Sequence, residues 1–169
     1  AGAAGVILEQ VKYIPEDVPW ILVKDARMAL SKLASLMYNN PSSKMRLIGV
    51  TGTNGKTTTT FLIEKILRDA GNKTGLIGTI ENRIGGKRLE THYTTPDALE
   101  LHQLFAQMVE EGADAVVMEV SSHALALKRV ADVEFDVGVF TNLTQDHLDF
   151  HPDVEDYLRS KALLFRQLG

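Results

Sequence analysis

The chain has 169 residues, 44% of them hydrophobic, which is enough apolar material for one good core, or one domain and part of a second, and excludes a disordered chain. Its formal charge of -4 leaves no basic footprint for nucleic acid or an anionic membrane, so a polyanion has to be held by a local site. There is no cysteine, hence no disulfide frame and no thiolate metal site, and neither a membrane-length apolar run nor a signal core appears; a soluble, cytoplasmic protein is expected.

In chain order, Ala3 to Leu8 reads as a small-residue strand without a preceding cap or helix, which predicts a segment upstream of it. Trp20 to Val23 predicts a second strand after Pro15 and Pro19. Asp25 then caps a helix carrying Met28, Leu33, Leu36 and Met37 near helical spacing. The turn-rich Asn39-Asn40-Pro41-Ser42-Ser43 closes it and marks a boundary between residues 1–44 and 45–169. From Arg46 the pattern becomes strand (Arg46 to Val50), helix (Thr57 to Ala70, closed by Gly71) and strand (Thr74 to Ile77), one βαβ unit. A hairpin-like turn at Gly85-Gly86 follows. Thr95 and Pro96 read as cap and first turn of a helix with Leu101, Leu104, Phe105, Met108 and Val109 on one face, stopped by Gly112. Ala115 to Val120 and Val137 to Phe140 are near-continuous apolar runs, as in strands covered on both faces. The predicted fold is therefore α/β: a P-loop NTPase-like, mostly parallel sheet flanked by helices, preceded by the end of a small α/β domain.

Gly49-Val-Thr-Gly-Thr-Asn-Gly-Lys-Thr-Thr58 falls between a predicted strand and a helix, the context a phosphate-binding loop requires. Gly52 and Gly55 permit the tight turn, the helix N-terminus adds partial positive charge, Lys56 reaches the β and γ phosphates, and Thr57 ligates magnesium. Only the GxxGK[ST] half of the common pattern is present, because Val50 stands where glycine is usual. Glu119 ends a buried apolar run and is the candidate metal carboxylate, with a structural ion pair as the alternative. Ser121, Ser122 and His123 read either as substrate contacts or as caps of a short helix from Ala124 to Lys128. A dense polar cluster, Asn142 to His151, ends the next strand where open α/β sheets bind ligands. Within it His147 reads as a magnesium neighbour or phosphate donor, while Asp146, Asp149 and His151 suit either function or a hydrogen-bond network. A last helix, Asp153 to Leu168, places Val154, Tyr157, Leu158, Leu164 and Phe165 on one face with Lys161 in the gap. Desolvation there lowers a lysine below its usual value of about 10.4 and favours the neutral amine that reacts with carbon dioxide to form a carbamate. The competing reading is a stem that snorkels over apolar surface.

VTGTNGKTTTT, TTPDALEL, MEVSSHALALKR, FTNLTQDHLDFH and YxxxKxxLF around Lys161, in this order, together resemble the Mur ligase family. The likeness runs from Trp20 to the C-terminus and is greatest to the branch that adds the third residue of the peptidoglycan stem peptide. It implies an ATP-dependent ligase of cell-wall synthesis that phosphorylates the carboxylate of UDP-N-acetylmuramoyl-L-alanyl-D-glutamate and joins it to meso-diaminopimelate or L-lysine. It further implies that Gly52, Thr53, Asn54, Gly55, Lys56, Thr57 and Thr58 hold ATP with Asn142 near the phosphates. Thr57, Glu119, His147 and a carbamylated Lys161 would serve Mg2+, with Lys56, His147 and Lys161 catalytic. Thr94, Thr95, Ser121 and Arg129 would contact the muramoyl dipeptide, whereas Tyr93 and Leu127 depart from some relatives' residues. The resemblance gives residues 1–44 as the end of the uridine-nucleotide domain and 45–169 as the first part of the ATP domain. A third, amino-acid-selecting domain is absent, which implies that the chain is inactive alone; a monomer is expected. Other Mur-like ligases, of the cyanophycin synthetase or folylpolyglutamate synthase type, and a plain P-loop NTPase are the alternatives.

Overall fold

The computed structural model describes residues 2–11 and 18–169. Two short parallel strands, β1 (Val6–Leu8) and β2 (Trp20–Leu22), form a ribbon of their own, joined to the rest by helix α1 (Ala26–Met37). Both strands are shorter than the sequence suggests, and Pro15 lies outside the described residues. Asp25 caps α1 by accepting from the Met28 amide. The face α1 buries is made of Ser31, Ala34 and Ser35, small residues that allow close approach to α3 (Ala98–Glu110). Its predicted apolar face is instead exposed: Met28, Leu33, Leu36 and Met37 all point away from the core.

After a 3-10 turn at Pro41–Lys44 the main sheet begins with β3 (Arg46–Thr51), followed by helix α2 (Lys56–Asp69) and β4 (Thr74–Ile77). The strands β5 (Asn82–Ile84) and β6 (Lys87–Leu89) form the Gly85-Gly86 hairpin, and β7 (Ala115–Glu119) and β8 (Val137–Phe140) complete six strands in the order β6-β5-β4-β7-β3-β8. Pairings among β4, β7, β3 and β8 are parallel; β5 pairs antiparallel with both β4 and β6.

Alternation along the strands divides the core between two faces. Leu47, Ile77, Val116 and Met118 pack with Leu101, Phe105 and Met108 of α3, while Ile48, Val50, Leu76 and Val117 pack with Phe61, Ile63 and Leu67 of α2. The same alternation sends Glu119, two residues beyond Val117, to the α2 side. The edge position of β8 corrects one expectation: Val137 and Phe140 are largely exposed, because among the described residues no strand pairs with its outer side.

Helix ends depart from the sequence reading in physically simple ways. Asp97, not Thr95, caps α3 by accepting from the Glu100 amide, since the Thr95 hydroxyl is engaged with the end of β7. The short helix α4 (Ser122–Ala126) starts earlier than predicted because Ser121 caps it through the Ala124 amide. Helix α5 (Val154–Ala162), capped by Asp153, gives way to a 3-10 turn at Leu164–Arg166 that turns Leu164 into the core beneath Gly49. No helix among the described residues is long and apolar enough to cross a membrane.

Candidate active site

At the C-terminal ends of β3, β4 and β7 lies an open cavity of about 460 Å³. Its wall combines the turn between β3 and α2 (Thr53 to Thr57) with Thr79, Tyr93, Thr94, Thr95, Glu119, Ser121, His123, Arg129 and His147. The site is thus at the carboxyl edge of a parallel sheet, where strand ends and helix N-termini converge.

The turn is held in a shape that requires glycine. Gly52 has φ of 143°, and a Cβ there would meet the Thr141 Oγ1 at 1.9 Å; Gly55, φ 83°, opens α2 with no side-chain cap. The end of β8 clamps this turn. Asn142 accepts from the Thr53 amide through its carbonyl (2.9 Å) and from the Asn54 amide through its side chain (3.0 Å), and its Nδ2 donates to the Asn54 carbonyl (3.0 Å). Thr141 donates to the same carbonyl at 2.7 Å, and the Thr53 hydroxyl bridges to Thr144. Asn142 therefore braces the turn rather than lining the cavity.

Thr57, at the first turn of α2, donates to the Glu119 carboxylate, 3.0 Å from each oxygen. The same carboxylate accepts from the Thr79 amide (2.9 Å) and hydroxyl (3.2 Å), yet is only 1% exposed and, among the described residues, has no cationic partner at hydrogen-bond distance. A buried carboxylate beside a hydroxyl and an uncapped helix N-terminus is a hard-oxygen set that fits a magnesium ion completed by phosphate oxygens and water. Among the described residues no group of three His, Cys, Asp or Glu side chains is placed to hold a metal ion.

Two lysines converge on one carbonyl. Lys56 Nζ donates to the carbonyls of Gly52 (3.0 Å) and Thr53 (2.8 Å), and Lys161 Nζ donates to Gly52 at 2.8 Å. Burial pushes both ammonium groups down; Lys161, with Lys56 close by as a second cation and Asp146 only partly opposing, falls to about 7. Its stem does not snorkel: Lys161 is 1% exposed, with Nζ 4.2 Å from the centre of the Tyr157 ring. It lies beneath the turn and is not one of the cavity-lining residues, so Thr57 and Glu119 are brought together while Lys161 stands behind them.

The opposite wall carries the hydroxyls. Thr95 donates to the Glu119 carbonyl at 2.9 Å and accepts from the Ser121 amide at 3.1 Å, and Arg129 donates to the Thr95 carbonyl at 3.0 Å while its guanidinium stacks over Tyr93. Thr94 reaches the Thr79 hydroxyl at 3.0 Å. Ser121 is therefore both a helix cap and a cavity residue. Of the polar cluster His147 reaches the cavity, as does His123 from α4, whereas Asp149 does not line it and His151 is buried with its Nδ1 2.8 Å from Asp156. Thr58 is exposed on α2 outside the cavity wall. Thr79 escaped the sequence reading, although its place just past a buried strand is the signal that exposed Glu119.

Residues 50–169 match the Mur ligase middle domain. The chain belongs to the Mur ligase family. UDP-N-acetylmuramoyl-L-alanyl-D-glutamate--2,6-diaminopimelate ligase of Bacillus cereus is 55% identical over 168 residues, 99% of this chain and 34% of that protein. The ligase of the same name from Geobacter metallireducens is 48% identical over 99% of this chain and 33% of its own length. A solved structure of a ligase bearing this name superposes with a TM-score of 0.81 at 30% identity, over 99% of this chain and 34% of that one. E. coli FolC in complex with DHPP and ADP is similar at a TM-score of 0.62 and 27% identity, over 83% of this chain and 39% of its own. The chain spans about a third of the length of the curated Mur ligase relatives it matches.

Proposed function

We propose that this chain carries the phosphate-binding loop and part of the acceptor wall of an ATP-dependent, amide-forming ligase that extends UDP-N-acetylmuramoyl-L-alanyl-D-glutamate with a diamino acid. The observation that carries the reading is the Thr57 to Glu119 contact at the uncapped start of α2, facing the wall of Thr94, Thr95, Ser121 and Arg129. Gly52 to Thr58 hold the triphosphate, with Lys56 leaving its loop carbonyls for the phosphate oxygens. Thr57, Glu119 and His147 are the residues that would hold magnesium, which would supply neutralisation of the phosphate charge. Arg129 and the hydroxyls orient the anionic muramoyl dipeptide. A carboxylate oxygen of the dipeptide attacks the γ-phosphorus and ADP departs; the amine of the diamino acid then attacks the acyl carbon, loses a proton and expels phosphate.

Lys161, poised near neutrality, is the residue we assign to carbamylation: its neutral Nζ adds to carbon dioxide and releases a proton, leaving a carbamate anion in place of the ammonium beneath the turn. The nitrogen keeps one N–H, so the bond to Gly52 survives the modification. Residues 1–44 are read as the end of the uridine-nucleotide domain and 45–169 as the first part of the ATP domain, acting as a monomer in the cytoplasm. The relatives' shared name favours diaminopimelate over L-lysine as the added residue.

The test is phosphate release from ATP by a protein of the relatives' full length. Release is expected to require both the muramoyl dipeptide and the diamino acid; release indifferent to the dipeptide would leave a P-loop ATPase, and dependence on a different acid would indicate the folylpolyglutamate or cyanophycin type.

A further inference from the structure

His147 occupies a conformation that the backbone does not favour. Its φ of 54° is left-handed for a residue with a Cβ, and its amide donates to the Asp146 Oδ1 at 2.8 Å, which shapes the turn but leaves the ring free. The imidazole Nε2 stands 3.7 Å from the Asp146 Oδ2, beyond hydrogen-bond distance. A histidine that serves a metal normally has its orientation set by a hydrogen bond from its other ring nitrogen to a carboxylate or carbonyl. Among the described residues no such bond is made, so packing has to supply the orientation.

The packing comes mainly from His123. Its ring lies perpendicular to His147, at 90° and 4.9 Å between centroids, while Phe150 forms a tilted stack with it at 4.2 Å and 34°, and His151 stands further off at 5.9 Å. Tyr157 approaches His147 less closely, at 6.0 Å. His123 is seated on the first turn of α4, whose cap Ser121 donates its amide to the Thr95 hydroxyl, which in turn donates to the Glu119 carbonyl at the end of β7. The ring thus transmits the position of the Glu119 strand to a histidine on a separate, strained loop.

We propose that His123 is a positioning residue for His147: wedged between Phe150 and His147, it holds the His147 imidazole toward the cavity by aromatic contact alone. This rests on the reading of His147 as part of the metal site. Flat-ring packing is the property used, so a phenylalanine at 123 substitutes for histidine and an alanine does not.

The experiment uses a protein of the relatives' full length with Mn2+ as the probe ion, its binding in the presence of ADP read from the loss of the free-ion electron paramagnetic resonance signal. His147→Ala is expected to weaken Mn2+ binding by about tenfold or more, His123→Ala to reproduce most of that loss, and His123→Phe to restore it to within about twofold. ADP affinity measured in EDTA stays at the wild-type level in all three, whereas a loosened fold would lower both. Phe150→Ala removes the plate behind His123 and is expected to mimic His123→Ala, so that pairing it with His123→Phe keeps the question answerable if His123→Ala does not fold. Wild-type Mn2+ binding by His123→Ala, alongside a weakened His147→Ala, overturns the positioning role and leaves the metal site intact. Equal loss in His123→Phe and His123→Ala overturns it too, since the nitrogens of His123 would then be making the contact. An unchanged His147→Ala overturns both readings.

Discussion

Gly52→Ala is the sharpest perturbation of the β3–α2 turn. The added methyl would stand 1.9 Å from the Thr141 hydroxyl and 3.1 Å from both the amide nitrogen and the carbonyl oxygen of Asn142. The hydroxyl can rotate away, but only by giving up its 2.7 Å bond to the Asn54 carbonyl; the Asn142 backbone belongs to the clamp and cannot. A φ of 143° adds strain of about 1–3 kcal/mol for a residue with a Cβ, and each lost hydrogen bond about 1 kcal/mol, so destabilisation of about 2–4 kcal/mol is expected. Urea unfolding followed by far-ultraviolet circular dichroism measures it. Displacing the turn should also weaken ADP binding by at least about tenfold, the equivalent of one charge-assisted hydrogen bond. Thr141→Ala, combined with Gly52→Ala, removes the nearest obstacle but not the Asn142 backbone. The double variant should therefore be less destabilised than the sum of the singles by about 1 kcal/mol. Stability within about 0.5 kcal/mol of wild type, together with unchanged ADP affinity, would refute the argument that this turn is held by a close approach.

Lys161 makes stability pH-dependent in a definite sense. Its folded value is lowered to about 7, while the unfolded chain keeps the proton up to about 10.4; between these limits the unfolded state binds more protons, so stability rises with pH. Below about 7 the buried ammonium is present in full and its desolvation cost is undiminished. In carbon-dioxide-free buffer the wild type should gain stability from pH 7 to 10 relative to Lys161→Met, and a constant difference between the two would contradict the burial argument. Phe105→Ala opens a cavity between α3 and the sheet, at a fully buried position, and should cost about 3–5 kcal/mol in the same urea assay. A loss below about 1 kcal/mol would mean that the α3 layer collapses into the space.

The order of elements from Arg46 onward was legible because two periods, 2 for strands and 3.6 for helices, alternate there, and because the glycine-rich turn sits between a strand and a helix. Glu119 was legible for a physical reason: a carboxylate after four apolar residues needs an explanation wherever it lands. Contacts between distant strand ends were not. The clamp of Thr141, Asn142 and Thr144 on Thr53 and Asn54 joins segments that only folding brings together, and Thr79 becomes notable only when Glu119 is seen to accept from it. Cap assignment went to Thr95 because composition cannot tell a hydroxyl that caps a helix from one already engaged elsewhere, and Asp97 two residues later took the role. The face of α1 was misread for a similar reason: helical spacing identifies an apolar stripe but not whether anything in the chain covers it.

The clamp on the glycine-rich turn also bears on when the site comes into being. Asn54 and Asn142 are 88 positions apart, and both bonds between their side chains and backbones close over the whole of α2, the hairpin, α3 and β7. Contacts at such separation carry the largest loop-closure entropy and are made late on the route to the native state. During synthesis, the glycine-rich turn leaves the ribosome long before the strand that shapes it. The βαβ unit can therefore assemble with its turn still unset, and the candidate site is completed with the docking of β8 onto β3, making that edge strand the timing element of the fold.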